Sequence, residues 1–158
     1  MEEKLTHFDD RGDAIMVDVS GKKETERTAH ATGVIEVSPA VLKAVLEGSV
    51  RKGDVLGVAR LAGIMALKRT FELIPLCHVL PLDACRITFE PDQEASLIRC
   101  DCFVSCHGRT GVEMEAMVGT STALLTIYDM CKAIDKRMVI REVHLVTKTG
   151  GKSGDFNF

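Results

Sequence analysis

The sequence predicts an α+β domain in which a four-stranded antiparallel sheet carries its helices on one face. Three features lead there. Four stretches, residues 27–37, 82–91, 95–106 and 138–148, alternate side-chain character at strand period. The middle two are joined only by Pro91-Asp92-Gln93-Glu94, so they form an antiparallel hairpin. Helical periodicity fills the other intervals, as a helix pair between the first two strands and one long helix between the last two.

In chain order, residues 1–13 are a polar N-terminal arm with Asp9-Asp10-Arg11-Gly12-Asp13 as a solvated turn. Residues 14–19 alternate well enough for a short strand, and residues 20–26 form a charged loop. Within 27–37, Ala29, Ala31 and Gly33 keep one face slim while Thr28, His30 and Thr32 face the other way. Ser38 and Pro39 open a helix as N-cap and first helical residue; Val41, Leu42, Val45 and Leu46 are its apolar stripe, and Gly48 closes it. Asp54 caps a second helix from Val55 to about Phe71, whose apolar positions nearly encircle it and whose Gly57 and Gly63 admit close neighbours. Such a helix is expected to be buried on several sides, and Pro75 lies beyond its end. The long helix covers residues 112–134, with Ala116, Met117, Ala123, Leu124, Ile127, Cys131 and Ala133 on its core side. The tail, residues 149–158, is too glycine-rich to be rigid unaided.

Strand, helix pair, strand, strand, helix, strand is the order of the split β-α-β, or ferredoxin-like, fold. The 95–106 strand has apolar residues on both faces, Leu97 and Phe103 against Ile98 and Val104. A second subunit is therefore expected to cover the helix-free side, making the protein an oligomer.

The length of 158 residues suits a single domain over 1–158. With 46% hydrophobic and 27% charged residues, no Trp and one Tyr, the chain is globular and its core rests on aliphatic side chains. A net charge of -3 and no Arg-rich stripe argue against nucleic acid as a partner, and only Phe89 and Phe103 would offer bases a stacking surface. No apolar run approaches the ~18 residues of a membrane span and no signal-peptide core follows Met1, so a cytoplasmic protein without membrane contacts is expected. The six cysteines include no Cys-x-x-Cys pair, and Cys100, Cys102 and Cys106 share strand parity with Ile98 and Val104. They read as reduced core thiols, and no metal site is assigned.

The ionisable residues of the long helix need a reason. Asp129 and Lys132 lie one turn apart on one face, arranged either as a surface ion pair or as an acid and an amine with a shared target. Glu113 and Glu115 sit at the other end; Glu115 and Asp129 are separated by 14 positions, or about 21 Å. A small ligand touches both only if opposite ends of two helices meet at one site; otherwise one of the two is structural. Lys52 precedes the start of the second helix, where Lys-Gly-Asp can hold a phosphate, and Lys68 lies near its end. His78 follows Cys77 on a loop, and nothing marks a base for that cysteine. Gly150-Gly151-Lys152-Ser153-Gly154 is not a P-loop, because Val146 occupies the place of its first glycine and no helix follows. A Gly-Lys-Ser segment able to fold over a phosphate remains.

Six segments together resemble one family. They are Met16-Val17-Asp18-Val19-Ser20, Ala62-Gly63-Ile64-Met65-Ala66, Leu73-Ile74-Pro75-Leu76-Cys77-His78, Thr110-Gly111-Val112-Glu113-Met114-Glu115-Ala116, Thr126-Ile127-Tyr128-Asp129-Met130-Cys131-Lys132 and Gly150-Gly151-Lys152-Ser153-Gly154. In this order and over nearly the whole chain they are similar to the cyclic pyranopterin monophosphate synthase (MoaC) family. Gly119-Thr120-Ser121-Thr122 and His107-Gly108-Arg109 depart from the expected pattern without touching those segments.

The resemblance implies a ferredoxin-like protomer, dimers assembled into a homohexamer as a trimer of dimers, and active sites at subunit interfaces. It implies a lyase of molybdenum cofactor biosynthesis acting on a GTP-derived small molecule, 3',8-cyclo-7,8-dihydroguanosine 5'-triphosphate, to give cyclic pyranopterin monophosphate and pyrophosphate. No resident cofactor is implied; Mg²⁺ accompanying the triphosphate is left open. By the same resemblance Asp129 and Lys132 match the catalytic pair and Lys52 a further catalytic lysine. Leu76, Cys77, His78, Met114 and Glu115 match two substrate-binding segments, Glu113 and Lys68 line the pocket, and Arg27 and Lys152 hold the triphosphate. The rival reading is a non-catalytic ferredoxin-like small-ligand-binding regulatory module, which explains fold and oligomer but not these ionisable groups.

Overall fold

A computed structural model describes residues 7–158; residues 1–6 of the polar arm lie outside them. Nine elements follow in order: β1 (Thr25–Glu36), α1 (Pro39–Leu46), α2 (Val55–Leu67), α3 (Thr70–Leu73), β2 (Ala84–Asp92), β3 (Leu97–Gly108), α4 (Glu113–Cys131), β4 (Val139–Thr149) and β5 (Phe156–Asn157). The strands lie in one sheet of order β2-β3-β1-β4-β5, every neighbouring pair antiparallel. β1 and β2 therefore run the same way with β3 between them, which is the split β-α-β arrangement.

The sheet has five strands, not the expected four. β5 comes from the glycine-rich tail and pairs with β4 through Thr147–Asn157 and Lys148–Phe156. β4 would otherwise be an edge, and three glycines with left-handed backbone (Gly150, Gly151 and Gly154) turn the chain back onto it. A two-residue strand is too short to show a period in sequence.

Local signals place most elements well. Ser38 Oγ accepts the Val41 N–H at 3.4 Å with Pro39 at the first helical position, and the Asp54 carboxylate accepts the Gly57 N–H at 2.9 Å. Cys100, Cys102 and Cys106 are fully buried on one face of β3 with Ile98 and Val104, under α2 and α4. Other expectations fail. Residues 14–19 form no strand beyond an isolated bridge between Ala14 and Phe8. The helix expected to reach Phe71 breaks after Leu67, where Arg69 leaves helical dihedrals and the Thr70 hydroxyl donates to the Leu67 carbonyl. Leu46 is exposed, and α2 is buried on one side only, leaving Val58, Leu61 and Met65 open to solvent. The helix-free side of the sheet is more polar than expected: Phe103 is stacked on His30, which hydrogen-bonds Asp101 at 2.7 Å, while Arg86 lies over the same ring. Among the described residues no helix is long and apolar enough to cross a membrane.

α2 and α4 run antiparallel in contact because glycine removes the side chains between them. A Cβ on Gly63 would lie 2.8 Å from the Gly119 carbonyl oxygen and 2.5 Å from Ile87 Cδ1. Gly63→Ala should destabilise the fold by about 1–3 kcal/mol through overpacking, despite its better helix propensity. A lowered urea midpoint at unchanged slope is the expected reading, and an unchanged midpoint would show that the helices can separate freely.

Candidate active site

The helix α4 carries an ionisable cluster at each end. At its C-terminus, Lys132 Nζ donates to Asp129 Oδ1 at 2.5 Å, and Lys52 Nζ donates both to Asp129 Oδ2 and to the Asp129 carbonyl at 2.9 Å. The three side chains are about half exposed. Lys52 reaches this point because the loop before α2 meets the last turn of α4, where free carbonyls favour a cation. Hydrogen bonds from Lys132 and Lys52 hold the Asp129 carboxyl down at about 2. The Asp129 hydrogen bond in turn raises Lys132 above the ordinary lysine value. As arranged, Asp129 is a fixed carboxylate and Lys132 a proton donor.

The N-terminal end is different. Glu115 is 5% exposed, and burial lifts its carboxyl to about 7, with Glu113 adding to the shift. Cys77 lies close enough that Glu115, after burial itself, pushes its thiol up, so Cys77 is a neutral contact rather than a nucleophile. His78 Nε2 donates to the Val17 carbonyl at 2.8 Å, tying this loop to the segment preceding β1. Leu76 is half-buried in the same loop, and Met114 is exposed in the first turn of α4. Lys68 caps α2 one residue after Leu67, whose side chain meets Gly119 of α4, so it belongs to this end too. Arg27 has the parity of Ala29 and Ala31 on β1, points to the helix side and is buried, with Nε donating to the Gly108 carbonyl at 3.2 Å.

Beside Glu113 opens a cavity of about 650 Å³. Its lining brings Arg27 and Lys152 together with Lys22, Lys23, Arg109 and Lys148, so among the described residues six cations line it with one carboxylate, Glu113, while Arg109 also pairs with Glu24 at 3.6 Å just outside. The last four were not among the residues singled out by sequence. Lys22 and Lys23 are hidden in a charged loop, Arg109 lies in a stretch that departs from the family pattern, and Lys148 is legible only through its pairing with Ala29 across β1 and β4. Gly150 and Gly151 close one wall directly over Arg27: a Cβ on Gly151 would lie 1.8 Å from Arg27 Nη1. Among the described residues no group of three or more His, Cys, Asp or Glu side chains is arranged to hold a metal ion.

The residues singled out thus gather in two places, Lys52, Asp129 and Lys132 at one end of α4 and the remainder at the other. One end is suited to moving protons, the other to holding a polyanion beside a carboxyl that titrates near neutrality.

Comparison with known proteins adds the following. The model of the MoaC family matches residues 16–151. A cyclic pyranopterin monophosphate synthase of Clostridium perfringens (strain 13 / Type A) is 57% identical over 158 residues, covering 100% of both chains. The protein of the same name from Rhodospirillum rubrum is 55% identical over 152 residues, covering 95% of this chain and 90% of its own. That of Brucella ovis is 52% identical over 156 residues, covering 99% and 94% respectively.

Proposed function

The chain belongs to the MoaC family, and from that premise we propose that it makes cyclic pyranopterin monophosphate for molybdenum cofactor biosynthesis. It acts as a lyase on 3',8-cyclo-7,8-dihydroguanosine 5'-triphosphate and releases pyrophosphate. The observation that carries this reading is the cavity at the N-terminal end of α4, where six cations surround a space large enough for a nucleotide-sized ligand. Attack of a ribose hydroxyl on the α-phosphate places growing negative charge on the departing pyrophosphate, and a cation fixed in the body of the fold, the buried Arg27, is placed to stabilise it. A regulatory module would need the charge for binding but not the Lys52–Asp129–Lys132 triad or a buried carboxyl.

In this proposal Lys132 delivers a proton during ring opening and closure, Asp129 keeps it charged and aimed, and Lys52 is the second acid–base group. Glu115 exchanges a proton near neutral pH, with Leu76, Cys77, His78, Met114, Glu113 and Lys68 forming the base-binding walls. Arg27 and Lys152 hold the triphosphate with Lys22, Lys23, Arg109 and Lys148. No resident cofactor is needed; Mg²⁺ enters only with the triphosphate.

The separation of the two clusters by about 21 Å along α4 supports a site shared between subunits. So does the exposed stripe of Val58, Leu61 and Met65 on α2, with Leu125 on the exposed side of α4. A two-fold axis near the middle of α4 would bury these residues and bring the Asp129 end of one copy to the Glu115 end of the other. A homohexamer, as a trimer of such dimers, extends the same proposal, and a folded monomer by sedimentation at low micromolar concentration would refute it.

Incubated with the cyclised nucleotide, the protein should release pyrophosphate and a pterin in equal amounts. Pyrophosphate from GTP without a pterin would mark a nucleotide hydrolase, and tight binding without turnover would mark the regulatory module.

A further inference from the structure

Residues 150–158 close into a strap along β4. The Gly150 N–H donates to Asp155 Oδ1 at 3.2 Å across its neck, and the Gly154 N–H reaches the Gly151 carbonyl at 3.4 Å. Lys148 Nζ donates to Ser153 Oγ. Beyond the turn, β5 pairs with β4, the Phe158 N–H donates to the Val146 carbonyl at 2.9 Å, and the Phe158 ring leans on His144 with centroids 4.5 Å apart.

Two features show what the strap is for. Its glycine turn packs on β1 and Arg27: a Cβ on Gly150 would lie 2.2 Å from the Glu26 carbonyl oxygen, and both Gly150 and Gly151 hold left-handed backbone that disfavours a side chain. Closing it gathers Lys148, Lys152 and Arg27 along one wall of the cavity, where Glu113 is the one carboxylate of the lining among the described residues. Like charges repel this closure, and the bonds opposing the repulsion are few and solvent-exposed, so the strap belongs to the easily opened part of the fold. A polyanion in the cavity reverses the sign of that repulsion.

We propose that the strap is a latch for the phosphate end of the substrate, with Asp155 and Phe158 as its positioning residues. They act on Lys148 and Lys152 without touching the ligand. This rests on the reading of the cavity as the triphosphate site. A latch of this kind acts on binding that is common to ground and transition states, so it appears in KM and not in kcat.

The test compares wild type with Asp155→Ala and Phe158→Ala, using the cyclised nucleotide as substrate and inorganic tripolyphosphate as competitor. Each alanine variant should raise KM about five- to tenfold, the scale of one or two ordered hydrogen bonds, with kcat within about twofold. Inhibition by tripolyphosphate should weaken by the same factor, and Asp155→Asn should restore both. Phe158→Ala lifts the other anchor and keeps the question answerable if Asp155→Ala does not fold. A fall in kcat at constant KM, or unchanged KM in both alanine variants beside a normally inhibited wild type, overturns the latch. Wild-type turnover indifferent to tripolyphosphate would instead sink the triphosphate reading on which it rests.

Discussion

Replacing Lys132 by alanine should lower turnover of the cyclised nucleotide at least about a hundredfold, the lower range for removing a positioned acid–base group. The thermal midpoint should not move, because the side chain is half exposed and its ion pair with Asp129 is solvated. Lys132→Arg should not restore the rate, since a guanidinium keeps its proton. Asp129→Asn gives a separate readout. The hydrogen bond to Asp129 is the main reason that Lys132 titrates above the ordinary lysine value. If Lys132 works as an acid, activity falls as pH rises through its pKa, so loss of that bond should bring the alkaline limb of the kcat profile to lower pH. Wild-type rates in Lys132→Ala, or an alkaline limb that stays in place in Asp129→Asn, would remove Lys132 from the proposed chemistry.

The second large effect concerns the opposite end of α4. Burial raises the Glu115 carboxyl from 4.5 in the unfolded chain to about 7 in the folded one. Between these values the unfolded state ionises first, so folding loses stability as pH rises from 4.5 to 7 and changes no further above that. Glu115→Gln removes the titration while keeping the shape. It should gain on the order of 2 kcal/mol over wild type at pH 8 and nothing at pH 4. The same substitution should remove the limb near neutrality from the pH–rate profile. An equal shift in unfolding midpoint at both pH values would show that Glu115 finds a cationic partner when folded.

Much of this was legible in the sequence because it is local. Ser38-Pro39 and Asp54 are complete capping signals within four residues, and the parity of Cys100, Cys102 and Cys106 needs only one strand. The capture of Asp129 by Lys132 follows from helical spacing. Its capture by Lys52 as well does not, because that depends on how the loop before α2 lands on α4. The same limit hid Lys22, Lys23, Arg109 and Lys148, four residues from three stretches of chain that converge only once β1, β4 and the loop before α4 are assembled. Leu46 and the outer side of α2 misled for the reverse reason, as their apolar spacing was real while no described residue of this chain covers them.

The contact of α2 with α4 through Gly63 and Gly119 has a further consequence. With glycine bringing the two backbones together at this point, the helices act as a ruler of set length between the end proposed to move protons and the end proposed to hold the polyanion. Substitutions along the ruler change its stiffness, but an inserted residue changes its reading. One extra residue between Ala116 and Tyr128 would advance Asp129 and Lys132 by about 1.5 Å and turn them about 100° around the axis, away from Lys52. The loops of this protein can vary in length; α4 can vary only in composition.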